Sequence, residues 1–349
     1  MVLPDDPRVR AARELAATVL APAAATVEEA GLPRSHLDSL AGAGLLGLRA
    51  PAADGGSDAP PAVYRAVNEV LAGADCTTWL VQAQHHGPVA LLARSAAPVR
   101  DRLLRPLATG AAVAGTAFSH LRRYPADRTV RAEPVGGGWR FDGTVHWYTG
   151  WGITDVLMLA GVSAGGEVVF AFAPAAEGPH LRPAPLRLAA MGGSRTVRLA
   201  VDGLVIPDGD VVARLPHAAW AAQDRQATAN ANPACFGVAA RAVELLAGYR
   251  DPEAVACADR LGARLAAVRA DCGRLADEVP PAERVGDRLD GRARAALLAV
   301  EATTALVTAG SGRAMAAGGE PERLARAALF LLVQAQTRAV RSALLDRLG

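Results

Sequence analysis

The side chains able to move protons near neutral pH are few and grouped. An adjacent pair, His85-His86, falls on a helical stretch from Gln82 to Ala93, and Ser119-His120 follow where the pattern of the chain changes. Neighbouring residues on a helix point in different directions, so of the pair one is expected to face solvent and the other to pack. His120 suits a structural role as well as a catalytic one. There is no lysine, so all 37 basic residues are arginine. That absence excludes a Walker A phosphate loop, a Schiff-base lysine, and chemistry built on a Ser-x-x-Lys or Tyr-x-x-x-Lys pair. The glycine-rich run Ala309-Gly310-Ser311-Gly312 has backbone N–H groups to offer a phosphate, but no strand precedes it as in the usual phosphate loops.

The elements that must position these groups fall into three regions, and the chain of 349 residues is long enough for all three. Residues 1–110 read as an N-terminal α-helical domain broken by Gly31-Leu32-Pro33 and by Pro51 through Pro61, with a long helical run from Tyr64 to Ala93. Residues 111–214 change to a period of two. Val130 and Ala132 alternate with Arg131 and Glu133, Gly136-Gly137-Gly138 supplies a turn, and Trp139 and Phe141 alternate with Arg140 and Asp142, which predicts a hairpin. Further strands are expected at 156–162, 168–173 and 197–201, making a β-barrel domain. From residue 215 to 349 the helical period returns. Leu261, Leu265, Val268, Cys272 and Leu275 recur at 4-3-4-3 spacing, and helices are expected near Arg292 to Thr308 and from Pro321 to Leu348, giving a C-terminal four-helix bundle. The fold class is α+β, mainly α. A content of 51% hydrophobic but only 4% aromatic residues suits helices packed through Ala, Leu and Val.

A net charge of +2 argues against gripping nucleic acid through its backbone. Cys76, Cys235, Cys257 and Cys272 show no C-x-x-C spacing and sit in apolar stretches, as buried thiols of a reducing cytosol do, with no metal site expected. No uninterrupted apolar run reaches the roughly 18 residues of a membrane span. The expectation is a cytoplasmic protein without signal peptide or membrane anchor.

The three-part layout and several local stretches resemble the acyl-CoA dehydrogenase superfamily over nearly the whole length. Gly47-Leu48-Arg49-Ala50-Pro51 followed by Asp54-Gly55-Gly56 resembles the family's Gly-hydrophobic-Pro-x-x-x-Gly-Gly. Gly143-Thr144-Val145-His146-Trp147-Tyr148-Thr149-Gly150 resembles its Gly-x-Lys-x-Trp-x-Thr-Asn, and Met191-Gly192-Gly193-Ser194-Arg195-Thr196 running into Asp202 through Pro207 resembles its exit from the β domain. The resemblance implies a bound FAD, with FMN or a reduced flavin as alternatives. Trp147 would lie against the flavin ring and Thr149 would donate a hydrogen bond near N5, where it stabilises the charge arriving with a hydride. Phe118 and Ser119 would meet the pyrimidine edge, His120 stands where the family has Glu, and Thr337 aligns with the Thr of its Tyr-Glu-Gly-Thr stretch.

The departures bear on chemistry. Glu322-Arg323-Leu324-Ala325-Arg326 resembles Glu-Lys-Leu-x-Arg and sets a register that puts Ala335 where the family's catalytic Glu stands. The second family position for that base, about ten residues before the Gly matched by Gly237, is Ala227, and the nearest carboxylate is Asp224. The adenine-side motifs are replaced by Arg250-Asp251-Pro252-Glu253 and by Ala309 through Gly312. Relatives of this fold that act as two-component monooxygenases also lack the Glu, take reduced flavin from a separate reductase, and use His or Ser. His85, His86, Ser119 and His120 are candidates for that work. Three readings follow: an FAD-dependent oxidoreductase acting on an acyl thioester or related small molecule, with an electron-transfer flavoprotein as partner; a flavin-dependent monooxygenase with a reductase as partner; and a flavin-free pseudoenzyme subunit. The apolar excess on helices 236–249, 261–275 and 324–348 predicts a homodimer or homotetramer.

Overall fold

A computed structural model describes residues 4–127 and 130–349. Six helices come first: α1 (Pro7–Leu15), continuing through a π-helical turn at Ala16–Leu20 into α2 (Ala21–Ala30), then α3 (Arg34–Gly42), α4 (Pro61–Ala74), α5 (Cys76–Ala93) and α6 (Val99–Thr109). The helical run expected from Tyr64 to Ala93 is two helices, because the Asp75 side chain accepts the N–H groups of Thr77 and Thr78 at 3.1 and 3.2 Å and so starts α5 afresh.

Eight strands follow: β1 (Ala114–Ala117), β2 (Val130–Val135), β3 (Gly138–Tyr148), β4 (Val156–Val162), β5 (Glu167–Pro174), β6 (Leu181–Pro185), β7 (Val197–Pro207) and β8 (Val211–Pro216). The expected hairpin is present, with Ala132 opposite Phe141 and Val135 opposite Gly138 across the glycine turn. The strands pair in the order β6-β7-β3-β2-β4-β5-β8, with β1 parallel to β4. Among the described residues the region expected as a barrel is one eight-stranded sheet whose pairing runs from β6 to β8 and which folds around its own core. The continuous apolar run of β4 is explained by burial on both faces. Leu157 and Leu159 enter one core with Phe141, Tyr148 and Leu199, while Met158 and Ala160 enter another with Leu107 of α6 and Val89 of α5.

The remaining helices are α7 (His217–Ala229), α8 (Pro233–Ala247), α9 (Pro252–Glu278), α10 (Val285–Gly310), α11 (Glu320–Leu331) and α12 (Arg338–Leu348). The helix expected over 321–348 is broken at residues 332–337, where Ala335 takes φ 50°. Among the described residues one helical stretch, Val285–Met315, is long and apolar enough to cross a membrane. It contains α10, which packs against α8, α9, α11 and α12 at the centre of the bundle. Cys76, Cys235 and Cys272 are buried thiols, whereas Cys257 is only half-buried.

N-terminal and C-terminal helices share a single core, in which Leu71 of α4 and Val238 of α8 both have no exposure. They meet at glycines: a Cβ on Gly237 would stand 2.0 Å from the Glu69 carbonyl oxygen, and one on Gly73 would stand 2.9 Å from that of Gly237. Gly237→Ala should therefore destabilise the fold by about 3 kcal/mol, since backbone on both helices must shift. Gly262→Ala, whose Cβ meets only Val243 Cγ1 at an ordinary 3.6 Å, should be neutral or stabilising by up to about 1 kcal/mol. Urea unfolding of the two variants checks the contrast, and equal midpoints would remove the claim that this crossing is limiting.

Candidate functional site

A cleft of about 800 Å³ opens where the three regions meet. One wall is α5, which contributes Leu80, Ala83 and Gln84. The sheet contributes Thr116 from β1, Phe118 to His120 from the turn after it, and His146, Trp147 and Thr149 from the end of β3. A third wall comes from α11, through Arg326, Leu329 and Phe330, and from the following turn at Val333, Gln334, Ala335 and Gln336.

Five of the residues singled out in the sequence gather here. Trp147 is 54% exposed, an unusual state for a large aromatic, and offers its indole to the cleft. Thr149 Oγ1 lies 3.0 Å from Thr196 Oγ1, which lies 2.7 Å from the fully buried Ser194 Oγ. Two hydrogen bonds join three hydroxyls, so one proton is left to present, and Thr149 is the end of the chain that lines the cleft. Phe118 packs edge-on against Phe170, with ring centroids 5.7 Å apart, which anchors the turn carrying Ser119. His120 lines the cleft but is only 4% exposed, and its Nε2 donates to the Ala160 carbonyl at 3.0 Å. Burial pushes its pKa down to about 4, so at neutral pH it is an uncharged ring whose buried Nδ1 has no partner among the described residues.

The other four lie outside the lining. His85 has no exposure, accepts the Ala114 N–H on Nδ1 at 3.0 Å and donates from Nε2 to Leu107 O at 3.1 Å. It therefore pins β1 to α6. His86 donates to Gln82 Oε1 at 2.8 Å and packs edge-on against Tyr64. Both are buried, where one had been expected to face solvent. Asp224, on α7, is held by Arg122 through Nε and Nη2, each at 2.8 Å. Ala227 is exposed on the same helix. Thr337 caps α12 by accepting the Val340 N–H at 3.3 Å.

Sequence reasoning missed the pair Thr116 and Gln84, whose Oγ1 and Oε1 lie 2.6 Å apart, and the apolar face of α11. A signal for the break after α11 was present in Thr337, a good helix cap three residues before Val340. None of the lining residues is Asp or Glu. The lining arginines are matched: Arg122 by Asp224, Arg123 by Asp127 at 3.3 Å, and Arg326 by Glu28 and Glu322 at 2.8 and 2.6 Å. Among the described residues the cleft is thus lined by apolar side chains, hydroxyls and matched arginines, without a free carboxylate.

Residues 8–111 match the family model described as "Acyl-CoA dehydrogenase, N-terminal domain". No curated protein matches the sequence. Among solved structures, butyryl-CoA dehydrogenase from Megasphaera elsdenii superposes with a TM-score of 0.84 at 14% identity, covering 100% of this chain and 99% of that one. A probable acyl-CoA dehydrogenase from Mycobacterium abscessus does so at 0.81 and 18%, covering 98% of each chain. The dibenzothiophene monooxygenase of Paenibacillus sp. A11-2 gives 0.80 at 19% identity, covering 98% and 96%. The whole chain therefore has the acyl-CoA dehydrogenase fold. Its N-terminal region, residues 8–111, is the part that also matches the family model of that name.

The buried histidines set the response to acid. His85 and His120 fall from about 6.5 to about 4 through burial, and His86 falls further. Between pH 6.5 and 4 the unfolded chain takes up protons that these rings refuse, so stability is lost as pH falls through that window. Asp75 acts oppositely, because burial raises it from 3.8 to about 6 and the fold takes up its proton first. With His36 also lowered by burial and Glu69 also raised by it, four histidines against two carboxylates leave a net loss. The urea midpoint should fall between pH 7 and pH 4.5, and His120→Asn should flatten that slope; a profile unchanged by the substitution would refute the assignment.

Proposed function

We propose that the cleft holds a flavin and that the protein is a flavin-dependent oxidoreductase. The observation that carries this reading is Trp147, a half-exposed indole at the end of β3, beside the outward hydroxyl of Thr149 in a cleft of about 800 Å³. A planar ring seats against an indole face, and a hydroxyl donor at its edge favours the reduced, more negative ring. Phe118 and Ser119 stand in the same lining and serve the other edge. A bound flavin supplies two-electron transfer. The protein's own residues supply the stacking face, the donor and the dry walls from α5 and α11.

The lining favours an oxygen-using monooxygenase over thioester dehydrogenation. Abstraction of an α proton needs a positioned base, usually a carboxylate. Ala335 lines the cleft at the position where the family resemblance puts that base, Asp224 is committed to Arg122, and His120 donates to a carbonyl from its only proton-bearing nitrogen. A reductase that supplies reduced flavin is the partner this reading requires. Apolar side chains left exposed on the C-terminal helices, Leu345 and Leu348 among them, support assembly with a second copy of the chain.

Titration with FAD and FMN, each oxidised and reduced, should show binding of at least one form. Trp147→Ala should raise its Kd by about tenfold, the loss of one aromatic contact of about 1.4 kcal/mol. Failure of every form to bind would overturn the flavin reading. Mixed anaerobically with saturated acyl-CoAs, the flavin-loaded protein should keep its oxidised absorbance, because lack of a positioned base costs on the order of 10²-fold or more. Rapid bleaching would restore the dehydrogenase reading.

A further inference from the structure

Two arginines four residues apart on one face of α10, Arg288 and Arg292, are 2% and 7% exposed. A buried cation is costly unless it is matched, and the usual match is a carboxylate. Here the hydrogen-bond partners are carbonyl and amide oxygens. Arg288 donates to Val279 O at 2.7 Å, Pro280 O at 3.0 Å, Glu283 O at 3.0 Å and Asn230 Oδ1 at 2.6 Å. Arg292 donates to Thr228 O at 2.7 Å, Asn230 O at 3.4 Å and Gln334 O at 2.8 Å. Asp224, whose charge reaches Arg292, is held by both donors of Arg122.

Those oxygens stand where three helices end. Thr228 and Asn230 mark the end of α7, Val279 and Pro280 lie just past α9, and Gln334 is in the turn after α11. The last four carbonyls of a helix lack partners within it, and each helix end carries roughly half a negative charge. Three such ends converging on one face of α10 supply what a carboxylate would otherwise supply. The compensation explains how the cations can be buried, and it leaves the two with different tasks. Arg288 joins the end of α9 to the α7–α8 linker, and neither element contributes to the cleft lining. Arg292 joins that linker to the turn that does.

We propose that Arg292 is a positioning residue of the cleft, holding the turn at residues 334–336 and the end of α11 in the shape a ligand meets. Gln334 is gripped twice, by Arg292 at its carbonyl and by Asn232 Nδ2 at its side-chain oxygen, 3.0 Å away. The next residue, Ala335, sits at φ 50°, a conformation that an L-alanine keeps only when its surroundings over-determine it. Gln334, Ala335 and Gln336 line the cleft together with Leu329, Phe330 and Val333 just before them. Loss of the Arg292 clamp frees the Gln334 carbonyl and lets Ala335 relax, which changes that wall. The identity of the ligand as a flavin rests on the reading above, whereas the hold on the turn does not.

The test compares Arg292→Met with Arg288→Met in the full chain, each replacing a buried guanidinium by an apolar side chain. Amide hydrogen exchange over residues 332–337, measured without ligand, should accelerate by about tenfold or more in Arg292→Met and stay at the wild-type rate in Arg288→Met. The flavin Kd should rise about tenfold in the first and be unchanged in the second. Equal acceleration in both variants would mean general loosening and would overturn the proposal, as would wild-type exchange of the turn in a folded Arg292→Met. Should Arg292→Met not fold, Arg292→Lys keeps the charge but not the fork of donors, and wild-type exchange and affinity in that variant would equally overturn it. If no flavin binds the wild-type protein, the exchange comparison still decides.

Discussion

The close crossing of α4 and α8 is the constraint on which the rest of the structure depends. With a hydrogen in place of a side chain at Gly73 and Gly237, the two backbones approach until a Cβ would overlap a carbonyl oxygen. That approach merges the first and last helical regions into one hydrophobic core, with Val67 and Leu71 of α4 packed in the same cluster as Val238 and Ala242 of α8. It also fixes the distance between α5, which follows α4 in the chain, and α11, which packs on α8. Both helices line one cleft, so a contact remote from that cleft bears on how its walls stand. The salt bridge from Arg269 of α9 to the buried Glu69 ties the same crossing to the rest of the bundle.

The sheet is positioned by a different device. β4 is buried on both faces, and alternate residues feed two separate cores, one against α5 and α6 and one within the sheet's own fold. His85 reinforces the seam, because its two nitrogens are taken by the β1 backbone and by the end of α6. A histidine so placed stays neutral and its tautomer is fixed by the amide that donates to Nδ1. This is why it serves the scaffold although its residue type and position in the chain suggest chemistry.

Most of the architecture was legible in the sequence, because it rests on periodicity. The hairpin around Gly136-Gly137, the double-sided strands and the 4-3-4-3 seam of α9 all follow from where apolar residues recur. The break between α4 and α5 was hidden although Gly73 and Asp75 stand there, because the capping role of Asp75 shows only once its carboxylate meets the Thr77 and Thr78 amides. The site was legible where it depends on local spacing, as for Trp147 and Thr149. It was not legible where it depends on what lies alongside. Asp224 reads as a spare acid in one dimension, and only the fold brings Arg122 to it from 102 residues away. The same holds for Arg292, since the end of α7 and the turn after α11 reach it from distant parts of the chain.

Ala335 ties these threads together. The left-handed conformation costs an alanine about 1 kcal/mol or more, and replacement by glycine would remove that cost. The turn nonetheless holds an alanine there, clamped on one side by Arg292 and Asn232 and leading on the other into the Thr337 cap. A cleft wall built only to be filled would need no such clamp, since an apolar helix extending from α11 would fill it at no strain. The strain and the two anchors therefore belong to a shape that matters in its own right. That shape presents a methyl group and backbone to the ligand where a carboxylate could stand in the same turn. An unreactive residue held in a strained place fits the flavin reading proposed above, in which the chemistry would come from a bound group and the protein's part would be to keep the geometry of the space fixed.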